Sequence, residues 1–278
     1  MTRTRVLAAL AMTPIAIAAI LLLPTPWMVA LAAVLFLAGL WEWFRLADLD
    51  DTLARTALLV LNMALMVAIV WGSRTSDGLS YVLLQIMIVV GVAWWLAAML
   101  WLRHFDFASN HETHARVFKL AAGTLAIVPA WCALAVLHGS DPNGHRWLFV
   151  ALMIVWAADS GAYFAGRHFG KRKLAPRISP NKTVEGLLGG VASGLVVALA
   201  FAPFAGATLR ELPAVGLVAV VAVLFSVVGD LFESLLKRHV GAKDSGDLIP
   251  GHGGILDRID GVVAALPVFA LGKALMGF

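Results

Sequence analysis

Charge is scarce in this chain. Asp, Glu, Lys and Arg make up 14% of its 278 residues, against about 25% in soluble domains. So few charges cannot cover a water-exposed surface, which excludes a soluble globular fold. Cysteine is nearly absent too: Cys132 stands alone, so no intramolecular disulfide and no thiolate metal cluster can form. It reads as a small buried apolar residue. Several chemistries lack their motifs. There is no Walker A run and no G-x-S-x-G. His111-Glu112-Thr113-His114 has one residue too few between its histidines for the zinc-protease spacing. His104, His111 and His114 therefore read as solvated loop residues. No tandem repeat or low-complexity tract appears, and no soluble domain fits between the apolar runs.

What the chain has is apolar length. It is 61% hydrophobic, with a mean hydropathy of +0.88. A spanning helix needs about 20 apolar residues. Nine runs qualify, at 6–23, 27–46, 53–71, 79–102, 118–137, 147–165, 186–204, 214–236 and 261–276. The expected fold is all-α, a polytopic integral membrane protein forming one transmembrane domain over 1–278. The start, MTRTR before an apolar run, is signal-like. It lacks an A-x-A cleavage site, and Pro24 and Pro26 lead straight into another span, so an uncleaved first helix is expected, kinked at Pro14.

Basic residues set the orientation. With the N-terminus in the cytoplasm, seventeen of the 21 Lys and Arg residues fall inside, and only Arg74, Arg146, Arg210 and Lys273 fall outside. The net charge of +4 thus reports topology, and nucleic acid is not an expected partner. Trp27, Trp41, Trp43, Trp71, Trp94, Trp95, Trp101, Trp131 and Trp147 read as an interfacial belt. Glu42, between two of them, reads as interfacial as well.

Helices in the first half, 1–140, carry little that is specific. The second half, 147–278, carries three segments that the topology places on one side. The first is 156–185, WAADSGAYFAGRHFGKRKLAPRISPNKTVE. Asp159, Tyr163 and Arg167 follow at i, i+4 and i+8. An ionised Asp within a span must face a protein interior or a wet cavity. The loop after Gly166 holds six Lys or Arg residues; it suits a triphosphate or an anionic headgroup, and it also satisfies the positive-inside rule. Thr183 is placed to cap the seventh helix, and the free N–H groups there could meet phosphate oxygens.

The second segment is a stripe on the eighth helix. Asp230, Glu233, Ser234 and Lys237 share one face at i, i+3, i+4 and i+7. Internal ion pairing explains it without catalysis, and Lys237 could instead snorkel. The third is GAKDSGDLIPGHGGILDRIDG, with five glycines from Gly241 to Gly254. Glycines allow close backbone approach, and successive N–H groups can cradle phosphate. Asp244, Asp247, Asp257 and Asp260 offer the hard oxygen ligands that Mg²⁺ takes. His252 either binds phosphate or holds the turn.

Ser234 to Asp260, running through Lys237-Arg238, Lys243-Asp244, Pro250-Gly-His-Gly-Gly254 and Asp257-Arg-Ile-Asp260, resembles the signature of phosphatidate cytidylyltransferases, the CDP-diacylglycerol synthases. The stretch from Ala158 to Gly186 is similar to a segment of bacterial members, with Ser160 where many have Thr. The resemblance covers most of the C-terminal half. It implies that CTP and phosphatidate give CDP-diacylglycerol and pyrophosphate. It also implies Mg²⁺, room for a second, monovalent cation such as K⁺, and a homodimer in the bacterial inner membrane with its active site facing the cytoplasm.

The residue reading fits such a reaction. Both substrates are anionic, so charge neutralisation and in-line positioning matter more than a strong base. Asp230 and Asp257 are the expected metal ligands, with Asp260, and Asp159 or Asp244, assisting. Lys237 and Arg238 would clamp phosphates, and Lys182 would close over from the other loop. Ser234, His252 and Arg258 are further substrate contacts, and Gly253 and Gly254 allow backbone approach. A secondary transporter would show discontinuous helices in repeated halves, which are not seen. A CTP-dependent polyprenol kinase or a prenyl-phosphate sugar transferase would share acidic metal sites but fits H-G-G-x-x-D-R-x-D less well.

Overall fold

The computed structural model describes residues 13–76, 78–110, 112–139, 142–246 and 253–278. Residues 1–12, with Arg3 and Arg5, lie outside that set, as do His111, Asp247 and His252. Among the described residues the fold is all-α. Helix α1 covers Thr13–Leu22. It is followed by α2 (Thr25–Leu46), α3 (Thr52–Gly72), α4 (Val82–Arg103), α5 (Thr113–Gly139), α6 (Gly144–Phe169), α7 (Val184–Phe201), α8 (Leu212–His239) and α9 (Leu256–Met276). The last eight are long and apolar enough to cross a membrane. The first expected span, 6–23, is described only from Thr13 onward. Two small antiparallel hairpins complete the chain: β1 (Arg74–Thr75) with β2 (Gly78–Leu79), and β3 (Lys173–Ala175) with β4 (Ser179–Thr183).

Helix ends follow local chemistry. Thr183 caps α7 as expected, its hydroxyl accepting from Gly186 N at 3.1 Å. α7 stops before Pro203, where proline's missing N–H ends the ladder and a 3₁₀ turn, Pro203–Ala205, takes over. α8 runs to His239, so Lys237 and Arg238 sit in its last turn, where cations are favoured by the helix dipole. α9 begins at Leu256, earlier than the hydropathy suggests. Asp257 and Asp260 are therefore helical.

α5 forms the centre, buried along most of its length and packed by α2, α4, α6 and α9. Its many small residues permit this. α3 lies at the rim, buried only at Asn62, Met66 and Ile69. α6 and α7 pack backbone to backbone: a Cβ on Gly161 would lie 2.0 Å from Ser193 Oγ. α8 and α9 do the same, a Cβ on Gly229 falling 2.2 Å from the Asp260 carbonyl oxygen. That approach brings the acidic residues of both helices to one level.

The tryptophan belt needs correction. Trp27 and Trp71 are exposed, but Trp43, Trp95, Trp101, Trp131 and Trp147 are buried. Trp131 donates to the Val29 carbonyl and Trp147 packs on Phe269 and Phe278; the other three gather, with Trp94, around Phe232 on α8. Trp43, Trp94, Trp95 and Trp101 surround its ring at centroid distances of 5.8, 5.7, 6.1 and 5.3 Å. Of these indole N–H groups, which usually find a partner when buried, that of Trp43 donates to the Lys119 carbonyl at 2.8 Å and that of Trp95 to the Val263 carbonyl at 3.2 Å, while the buried Trp94 N–H has no partner among the described residues. Helices α2 and α4 thus hold α8 from behind, between Asp230 and Glu233.

Candidate active site

Two groups of charges meet where α6, α8 and α9 converge. The first faces a cavity of about 560 Å³ between α6, α7, α8 and the β3–β4 hairpin. Asp159, Lys182 and Asp230 line it, with apolar walls from Leu187, Val223 and Val227. Lys182, on β4, donates to Asp230 Oδ2. Ser234, one turn along α8, donates to Asp230 Oδ1 at 3.4 Å. Asp159 is within electrostatic reach of Asp230 and Lys182. Asp260, half-buried on α9, is within reach of Asp230, Glu233 and Lys182.

The second group is deeper. Lys237 Nζ donates to Glu233 Oε2 at 2.8 Å and to Asp257 Oδ1 at 2.7 Å. Asp257 Oδ2 accepts the backbone N–H groups of Ser245 at 3.0 Å and Gly254 at 2.8 Å. Gly253 turns with φ +81°, a left-handed conformation that glycine adopts without strain, and a Cβ there would sit 2.8 Å from Asp257 Oδ2.

The β3–β4 hairpin is strapped over this region. Arg238 Nε donates to the Ile178 carbonyl at 3.1 Å. Arg177 pairs with Asp106 at 3.1 Å and lies over the Phe105 ring. His239 and the Phe105 carbonyl are 2.7 Å apart. At the hairpin's base, Glu185 accepts from Lys171 N, Arg172 N and Arg172 Nε. The basic loop thus divides its work: Arg172 and Arg177 tie the hairpin down, while Arg167 and Lys182 line the cavity.

The cytidylyltransferase family model matches residues 3–275. The chain belongs to the cytidylyltransferase family, and with it to the nucleotidyltransferases. The phosphatidate cytidylyltransferase of Haemophilus influenzae is 37% identical over 284 residues, covering 97% of this chain and 98% of its own. That of Pseudomonas aeruginosa is 39% identical over 271 residues, covering 97% and 96%. That of Bacillus subtilis is 39% identical over 171 residues, covering 62% and 63%.

In this cytidylyltransferase-family fold, the expected residues separate by position. Asp159, Lys182 and Asp230 face the cavity together. Lys237, Asp257, Gly253 and Gly254 form the deeper cluster, outside the cavity lining. Ser234 and Asp260 lie between. Arg238 is turned toward the hairpin backbone. Asp244 is exposed beside Gly253, and Arg258 is exposed on α9. His252 lies outside the described residues.

Sequence reasoning missed Glu42. It is not interfacial but 3% exposed. It accepts from Ser245 Oγ at 2.9 Å, Ile255 N at 3.1 Å and Leu256 N at 2.8 Å. These are loop and first-turn donors of α9, which has no local side-chain cap, so an acid 214 residues away supplies one. A signal existed: a carboxylate in an apolar helix demands partners. Nothing local could name them.

Carboxylates are the ligand type a hard divalent cation takes. Asp230 and Asp257 carry them on adjacent helices, but Asp230 is engaged by Lys182 and Ser234, and both Asp257 oxygens are engaged by Lys237 and the amides of Ser245 and Gly254, so holding a cation there requires those partners to be exchanged. No cluster of three or more metal-type side chains forms among the described residues. Mg²⁺ held by one or two carboxylates and substrate phosphates needs none.

Proposed function

We propose that this chain is a phosphatidate cytidylyltransferase, joining CTP and phosphatidate into CDP-diacylglycerol and releasing pyrophosphate. The cavity carries this reading. Its charged residues, Asp159, Arg167, Lys182 and Asp230, share one space with apolar walls. That combination suits a substrate with a phosphate head and hydrocarbon tails. The names of the relatives above and the Ser234–Asp260 resemblance point the same way.

In the reaction, an oxygen of the lipid phosphate forms a bond to the α-phosphorus of CTP. The bond from that phosphorus to the oxygen bridging to the β-phosphate breaks. Pyrophosphate leaves with the electron pair. The lipid phosphate is already ionised at neutral pH, so no strong base is required. Lys182 is placed to leave Asp230 for a phosphate oxygen, since it is the more exposed of the two paired lysines. Lys237 keeps Asp257 oriented toward the loop amides. Asp230 and Asp257 would hold Mg²⁺, with Asp260 and Asp159 adding negative charge nearby; when bound, the ion supplies neutralisation of the triphosphate and of leaving pyrophosphate.

In this reading the site faces the cytoplasm from the bacterial inner membrane, following the Lys and Arg distribution, and the protein works as a homodimer. Light scattering in detergent checks the dimer. Product analysis with labelled CTP tests the reaction. α-Labelled CTP is expected to yield a chloroform-soluble liponucleotide that depends on phosphatidate and Mg²⁺. Label in a phosphorylated alcohol, from γ-labelled CTP only, would show a kinase instead. Asp257→Asn and Lys237→Met are expected to abolish the liponucleotide; either variant at normal turnover would remove the roles given above.

A further inference from the structure

Glu42 sits in α2, in the half of the chain that carries no signature. A buried carboxylate is tolerated only when its oxygens are hydrogen-bonded, and here three donors satisfy them. Those donors lie on both sides of the Gly-rich loop: Ser245 where it departs, Ile255 and Leu256 where it returns. One carboxylate therefore ties the two ends together. Arg45, three residues on in α2, donates to the Ser245 carbonyl and grips the same residue again.

The path continues to the proposed metal ligand. Ser245 N donates to Asp257 Oδ2 at 3.0 Å, and Asp257 N donates to Ser245 Oγ at 3.3 Å. Two glycines make room for Glu42 itself. A Cβ on Gly246 would lie 2.2 Å from Glu42 Oε1, and one on Gly254 would lie 2.2 Å from Oε2. At these two positions the loop's glycine content serves a carboxylate from another helix.

We propose that Glu42 is a positioning residue for the transfer reaction. It fixes both ends of the loop, and through Ser245 it holds the Asp257 carboxylate in place against the loop amides and Lys237. This rests on the function proposed above. The α2 helix thereby acts on the active site although it does not line the cavity.

The test uses the full chain in detergent, as wild type, Glu42→Gln, Glu42→Asp, Ser245→Ala and the Glu42→Gln/Ser245→Ala double variant. Glutamine keeps the size but turns an amide N–H toward groups that donate. Glu42→Gln is expected to lower kcat at least about tenfold per folded molecule, with the KM for phosphatidate within about twofold. Amide deuterium exchange over 253–257 should accelerate about tenfold while α5 and α6 stay unchanged. Glu42→Asp, which keeps the charge, should recover part of kcat. The double variant should be no slower than the slower single one, because both act on one path.

Wild-type kcat in Glu42→Gln, exchange that rises across the whole fold, or additive losses would each overturn the proposal. If Glu42→Gln does not fold, Ser245→Ala decides: it must fold, lose kcat and loosen 253–257, and normal kcat with normal exchange overturns the idea. If wild type makes no liponucleotide, the functional reading falls. The exchange measurement then still judges Glu42, and unchanged exchange in Glu42→Gln rejects it.

Discussion

Lys182 and Lys237 each neutralise a carboxylate of the site, but in different surroundings. The side chains of Lys182 and Asp230 are 26% and 34% exposed, beside the cavity. Lys237 is 13% exposed, with Glu233 at 1% and Asp257 at 13%. The first pair joins a hairpin to a helix and can separate without leaving a buried charge. The second joins two helices and cannot. Burial decides the difference, because an ion pair shut from water is strongly destabilised when one member is lost. The open pair is free to exchange partners, and the closed pair is held between two helices.

The largest effect should come from the closed pair. Lys237→Met leaves Glu233 and Asp257 as uncompensated buried charges, a loss of about 3–5 kcal/mol. A large fall in the melting temperature in detergent, together with lost product, is the expected outcome. Asp230→Asn should act on the reaction alone, lowering turnover about 10²–10³-fold with a melting temperature near wild type. An equal thermal loss in both variants would erase the distinction between the pairs.

Smaller effects sharpen it. Arg177→Gln cuts the exposed tie to Asp106, and such pairs contribute little to stability. Its melting temperature should be unchanged, while a looser hairpin carrying Lys182 should raise the KM for CTP modestly. His114, exposed and paired with Glu112 at 2.7 Å, lies away from both pairs, and His114→Ala should change neither turnover nor melting. A measurable loss of activity there would extend the site beyond the hairpin straps.

Legibility followed distance along the chain. The Glu233–Lys237 pair was readable because i, i+4 residues stack on any helix. The Thr183 cap was readable because its acceptor and donor lie three residues apart. The Lys182–Asp230 pair spans 48 residues and the Ser245–Glu42 bond spans 203, and no local pattern encodes either. The same reason misplaced the tryptophans. Spacing puts them near helix ends, whereas the Phe232 ring that four of them enclose belongs to a helix far along the chain.

The sequence by itself determined that this protein is a bundle of membrane-spanning helices, because hydropathy and helix length are properties of each segment alone. It also marked Asp230, Lys237 and Asp257 by their local pattern. Only the tertiary structure decided which lysine meets which carboxylate, that Glu42 closes the loop, and that the unremarkable first half supports the site. Those outcomes depend on how closely helices approach, and small residues such as Gly229 and Gly254 express that only once a neighbouring helix is packed against them.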